Sequence, residues 1–141
     1  MLSALARLFR SMSRAAIALG MSLCLLLTAC SGEADASLSG DYVQDTVAVA
    51  QNLLAVIELP QDAPDHLQAE TDAKDLINNY ISRYRPQPKF NGLSSFTTMQ
   101  TALNSLAGHY TTYSNRPLPE QLHDRLVKEL SKAEKAVARG N

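Results

Sequence analysis

Four stretches of the chain repeat apolar side chains every three or four residues, and prolines or small polar residues fall between them. That spacing returns to one side of a helix at every turn and would scatter over both faces of a strand. It therefore demands amphipathic helices whose inner faces are covered by one another. From Asp41 to Glu58 the stripe is Val43, Val47, Ala50, Leu54 and Ile57. Ser39 is the candidate N-cap, with Asp41 and Asp45 suited to the positive helix end. Leu59-Pro60 closes it, because a residue before proline avoids the α region. The second helix is expected to open at Asp62 with Pro64 in its first turn. Its inner face is Leu67, Ala73, Ile77, Tyr80, Ile81 and Tyr84, and Pro86 and Pro88 end it. Pro86 to Gly92 reads as a stiff connector closed by an Asn-Gly turn signal. The third helix, capped by Ser94 or Ser95, carries Phe96, Met99, Leu103, Leu106 and Tyr110. The fourth starts near Pro117 or Pro119 and carries Leu122, Leu126, Leu130, Ala133 and Val137. Lys132, Lys135 and Arg139 lie toward its negative end, and Gly140 suits the position just past it. No alternating strand pattern of useful length occurs. Short connectors favour antiparallel neighbours, so the expected fold is all-α, an up-down-up-down four-helix bundle over residues 40–141.

The start of the chain reads differently. Residues 1–29 hold Arg7, Arg10 and Arg14 and no acid, followed by an apolar run from Ala15 to Leu27. The run is short for a bilayer span but fits the core of a secretory signal behind a basic flank. It ends Leu27-Thr28-Ala29-Cys30, an apolar residue and two small ones before a cysteine, which looks like a bacterial lipobox. Cys30 is thus the expected lipidation site. A lipidated N-terminal cysteine carries two or three acyl chains, enough for stable anchoring where one chain is marginal. The small polar residues after it make 30–39 a flexible tether. Loss of the leader removes Cys24, and Cys30 is blocked, so the domain folds without disulfides.

Composition excludes several classes. Charged residues are 19% of the chain, the net charge is −1 and tryptophan is absent, which argues against nucleic-acid binding. There is no glycine-rich phosphate loop, nucleophile elbow or His-Glu-x-x-His pattern, so no enzyme is expected. His66, His109 and His123 stand singly, and no cluster suggests a metal or another cofactor. The order of charge is more telling. Ten acids and one base occupy Glu33 to Asp75, and four bases with no acid occupy Leu76 to Pro119. Segregation of this kind produces a field that orients association. Arg83, Arg85 and Arg116 are candidate partner contacts, although Arg83 and Arg85 also neutralise a helix C-terminus. In an antiparallel bundle Arg116 falls at the opposite end from Arg83 and Arg85. Phe90, in a loop, and Tyr113, at a helix end, are the candidate exposed anchors, since arginine and tyrosine dominate interface hot spots. An alternative use of the acidic half is a periplasmic metal-binding or metal-delivery lipoprotein, with oxygen ligands for calcium or manganese. Those acids are scattered along helices, however, and not gathered in one loop.

Longer strings add a resemblance. INNYISRYR at 77–85, SFTTMQTALNSLAGHY at 95–110, NRPLPEQL at 115–122 and GDYVQDTVAV at 40–49 resemble the photosystem II assembly and repair lipoproteins of cyanobacteria. The resemblance covers about Leu38 to Gly140 and extends to the lipobox. It implies a monomeric four-helix bundle anchored by lipid on the lumenal side of the thylakoid membrane. It further implies transient binding to immature or damaged photosystem II, through the large lumenal loop of a chlorophyll-binding antenna subunit. Such a protein would keep the site open for assembly of the manganese–calcium cluster and delay docking of the extrinsic subunits, with no catalysis and no cofactor of its own.

Overall fold

A computed structural model describes residues 37–141. The expected leader at 1–29, the lipidation site Cys30 and most of the expected tether lie outside the described residues. The described chain is all-helical: α1 (Tyr42–Ile57), α2 (His66–Tyr84), α3 (Pro88–Asn91), α4 (Ser94–Thr112) and α5 (Glu120–Ala138). The four long helices run up, down, up and down. Tyr42 at the start of α1 meets Tyr84 at the end of α2. Glu70 near the start of α2 accepts from the Asn115 backbone just past α4. Ser95 at the start of α4 donates its backbone N–H to the carbonyl of Asn141 after α5. Helix α1 packs on α2 and α5, and α4 on α5 and α2, which closes a square around one core.

Helices α4 and α5 follow the apolar spacing. Phe96, Met99, Leu103, Leu106 and Tyr110 are buried, as are Leu126, Leu130, Ala133 and Val137. Many of the hydroxyl residues on α4 are tolerated because Thr97, Thr101, Ser105 and Thr111 donate to the carbonyl four residues earlier. The end of α5 is a Schellman turn: Asn141 N–H reaches the Ala136 carbonyl and Gly140 N–H the Val137 carbonyl. Gly140 sits there at φ +78°, as glycine at that position allows.

Helices α1 and α2 depart from the expected stripes. On α1 the buried residues are Tyr42, Asp45, Thr46, Val49, Ala50, Leu53 and Ile57, while Val43 is 46% exposed. Val47 and Leu54 flank the core partly buried. The helix is rotated because Asp45 and Thr46 find hydroxyl partners inside, which an apolar count scores as outside. On α2, Leu67 is 53% exposed and its place inward goes to His66 and Glu70. That helix starts at His66, not at Asp62, because residues 60–65 form turns in which Ala63 and His66 bond back to Pro60 and Ala63. Caps also differ. Asp41, not Ser39, caps α1 by accepting from Gln44 N–H at 2.9 Å. Leu93 occupies the N-cap position of α4, and Ser95 is buried, sharing a 2.8 Å hydrogen bond with the Tyr42 hydroxyl. The connector after α2 winds into the single turn α3, whose Pro88 suits a first helical position.

Candidate functional site

Arg83, Arg85 and Phe90 gather at the end of the bundle where α1 starts and α2 stops. Arg83 lies in the last turn of α2 and Arg85 is its C-cap, both exposed. Among the described residues neither forms an ion pair, so both charges are available beyond their effect on the helix dipole. Phe90 is not the exposed loop anchor expected from its flanks. It is half-buried, stacked on Tyr42 with ring centres 4.2 Å apart and edge-on to Tyr84 at 5.4 Å. Tyr42 and Tyr84 pack edge to face at 5.3 Å, and Lys89 Nζ sits 4.7 Å from the Phe90 ring centre. Burial of three rings in one place outweighs the loop context of Phe90.

Beneath the rings lies a buried carboxylate, Asp45, 3% exposed. It accepts from the Tyr84 hydroxyl. It also accepts from the Ser39 backbone and hydroxyl, both at 2.7 Å, and from Gly40 N–H at 3.0 Å. Burial alone would raise its pKa. The hydrogen bonds from Tyr84, Ser39 and Gly40 outweigh that and hold it below the ordinary carboxylate value. The same burial pushes the Tyr80 and Tyr84 hydroxyls up, and Tyr80 shares a 2.7 Å hydrogen bond with Thr46. Asp45 therefore clips residues 39–40 to the bundle beside Arg83. Gly40 is needed in that clip: its φ is +93°, and an added Cβ would lie 3.1 Å from the Arg83 guanidinium.

Tyr113 and Arg116 belong to the opposite end. Tyr113 is the C-cap of α4 and is 51% exposed, as its place at a helix end suggested. Arg116 is exposed in the loop that follows, and its carbonyl meets His109 Nε2 at 3.3 Å. Nearby, His123 stands between Glu58 and Asp124, with one ring nitrogen 3.1 Å from each carboxylate. Only the doubly protonated imidazole can donate to both. The hydrogen bond to Asp124, with that to Glu58 and the charges of both acids, raises the His123 pKa above its ordinary value. Its contribution to stability is thus complete below about pH 6.5 and is lost as pH rises through the higher folded-state value. Urea midpoints measured from pH 5.5 to 8.5 are expected to fall more steeply in this chain than in His123→Gln. Equal slopes would remove the assignment.

Each long helix of 19 residues is about 28 Å long, so the five candidate contacts form two groups separated by the length of the bundle. The apolar count missed Tyr42, Asp45, Ser95, His66 and Glu70. Tyr42, one residue into α1, carried no signal, because its partners Tyr84, Phe90 and Ser95 are about 40 to 50 residues away in sequence. The acids of the first half do not converge: among the described residues no three His, Cys, Asp or Glu side chains group as metal ligands. Asp72, for example, accepts from Gln68 on its own helix. Among the described residues no helix is long and apolar enough to cross a membrane.

A square of four long helices with an aromatic-basic end and a tyrosine-arginine end defines the class, a helical bundle protein. The comparisons with known proteins give that class a family. The family profile described as Photosystem II Pbs27 matches residues 3–137. The "Photosystem II lipoprotein Psb27" of Synechocystis sp. is 49% identical over 124 residues, 88% of this chain and 91% of that protein. The "Photosystem II assembly factor lipoprotein Psb27" of Thermosynechococcus vestitus is 44% identical over 122 residues, covering 86% and 90% of the two chains. A solution structure of Psb27 from cyanobacterial photosystem II superposes with a TM-score of 0.72 at 50% identity, covering 79% of this chain and 96% of that one. The chain belongs to the photosystem II Pbs27 family.

Proposed function

We propose that this protein is a photosystem II assembly and repair factor that works by binding and not by catalysis. The observation that carries the reading is the near-full-length similarity to a relative named as a photosystem II assembly factor, at 44% identity. In this reading residues 1–29 are a removed leader, 30–39 a tether lipidated at Cys30, and 40–141 the working bundle on the lumenal face of the thylakoid membrane. The clip of Ser39 and Gly40 onto Asp45 supports a tether that joins the bundle at its Arg83 end. Anchoring confines the search to a surface and raises effective concentration, so a modest monomeric interface suffices. Binding to immature complexes is transient, through the large lumenal loop of a chlorophyll-binding antenna subunit, and favours assembly of the manganese–calcium cluster. Arg83, Arg85, Tyr113 and Arg116, with the exposed edge of Phe90, supply the contacts. Separated charges at the rim steer encounter and leave dissociation fast, which suits a factor that must depart.

The test is capture of photosystem II intermediates from thylakoids by the tagged chain, with mass spectrometry of the captured proteins and of the modification on Cys30. Single Arg83→Glu, Arg85→Glu and Arg116→Glu replacements are expected to reduce capture several-fold while helical circular dichroism is unchanged. Undiminished capture by all three would sink the arginine assignment.

A further inference from the structure

The end of the bundle that holds Arg116 contains a small cavity with an unusual lining. Its volume is about 200 Å³, and His66, Arg116, His123, Ile57, Leu59 and Leu118 are among its walls. That volume is near the size of one side chain and below the range of pockets for drug-sized ligands. The wall is polar on one side and apolar on the other. His66 is 8% exposed, and its Nδ1 is buried with no hydrogen-bond partner in the protein. A buried polar atom left in that state costs free energy unless a ligand supplies the missing bond. Arg116 has no carboxylate partner among the described residues. His123 does not compete for a ligand, because Glu58 and Asp124 already occupy both of its nitrogens. Two lining residues with free donor side chains thus remain, Arg116 and His66. A planar guanidinium matches a carboxylate in shape and charge. The same end carries Tyr113 and Leu67, two of the large apolar side chains that are more than half exposed. A pocket on an end that also exposes apolar side chains suits an interface hot spot.

We propose that this cavity receives a carboxylate of a partner polypeptide, from an acidic side chain or a chain end, held by Arg116 and His66 with its methylenes against Ile57, Leu59 and Leu118. The inference rests on the reading above that this end docks on a protein partner, and it names what the partner must present. Of the acids at this end, Glu58 and Asp124 are engaged by His123, and the buried Glu70, which is not among the lining residues, accepts from the Asn115 backbone; Asp62, Asp65 and Glu120 are exposed. Their repulsion is screened over roughly 8 Å in salt, whereas a guanidinium contact forms at hydrogen-bond range.

The experiment is a titration of the isotopically labelled chain in detergent with three blocked peptides, followed by nuclear magnetic resonance. One peptide carries a glutamate, one a glutamine in its place, and one a free C-terminal carboxylate. Saturating shifts of the His66 ring and the Leu118 methyls are expected with at least one carboxylate peptide, and binding of the glutamine peptide is expected to be at least tenfold weaker. Preference between the two carboxylate peptides tells an acidic side chain from a chain end. Arg116→Gln, at an exposed loop position, is expected to weaken binding at least fivefold with helix content unchanged. Equal binding of the glutamine peptide, absence of saturating shifts at His66, or full affinity in Arg116→Gln would overturn the proposal. Because the peptides act alone, carboxylate binding without capture of photosystem II intermediates would remove the functional reading and leave the pocket standing.

Discussion

Asp45→Ala is expected to lower the unfolding free energy by about 3 kcal/mol at neutral pH, a loss typical of breaking a buried, hydrogen-bonded charge. The carboxylate is the common acceptor for the Tyr84 hydroxyl, the Ser39 hydroxyl and two backbone N–H groups. Truncation leaves the Tyr84 hydroxyl, on a side chain 1% exposed, facing a cavity without its acceptor. It also frees residues 39–40 from the bundle. At roughly 4–8 °C per kcal/mol for a domain of this size, the melting temperature should fall by more than about 10 °C. Acid gives a second signature. Since the folded-state pKa of Asp45 lies below its ordinary value, its stabilisation is present above about pH 3.9 and disappears as pH falls through the folded value. The variant should therefore lose less stability between pH 5 and pH 2 than the parent. Chemical unfolding at several pH values checks both statements, and parallel pH curves would contradict the clip. Faster amide exchange at Ser39 and Gly40 alone would locate the effect.

Leu103→Ala is expected to destabilise by roughly 3–5 kcal/mol, the range for emptying a fully enclosed leucine site. Leu103 is 0% exposed, on the helix that packs against both α2 and α5. Its neighbours on the stripe, Met99 and Leu106, are equally enclosed, so little solvent-facing chain can settle into the void. Leu103→Met, which keeps volume, should cost less than about 1.5 kcal/mol. A Leu103→Ala loss near 1 kcal/mol in urea titration would show that the core collapses around the gap and that the square of helices is loosely packed. Because the site lies far inside both ends, the variant that still folds at low temperature should retain partner capture, separating stability from binding.

Much of this architecture was legible without coordinates. Prolines 60, 86, 88, 117 and 119 mark breaks between the long helices, and short connectors allow only antiparallel neighbours. On α4 and α5 the apolar period alone named most of the core, missing the small Ala102 and Ala136 and the polar Ser95 and His109, because those inner faces are mostly aliphatic and aromatic. It failed on α1 and α2, where Asp45, Thr46, His66 and Glu70 face inward. A polar residue is admitted to a core only when a partner satisfies it, and those partners come from other helices: Tyr84 for Asp45, Tyr80 for Thr46, and the Asn115 backbone for Glu70. Phe90 shows the converse, a ring in a proline-flanked loop that becomes part of the aromatic cluster because Tyr42 and Tyr84 lie within reach.

The sequence by itself determined an all-helical chain with four antiparallel segments, the division of Arg83 and Arg85 from Arg116 between opposite ends, and the family to which it belongs. Each depends on local period, on chain punctuation or on strings of residues, which are written along the chain. Only the tertiary structure decided which face of α1 and α2 is inside, that Phe90 packs half-buried against the core rings, that Asp45 clips the entering chain, and that His66 and Arg116 share one cavity. Apart from the local contacts of Asp45 with Ser39 and Gly40, those features rest on pairings between residues about 30 to 50 positions apart, such as Asp45 with Tyr84 and Phe90 with Tyr42, and a pairing of that kind exists only once the helices have packed.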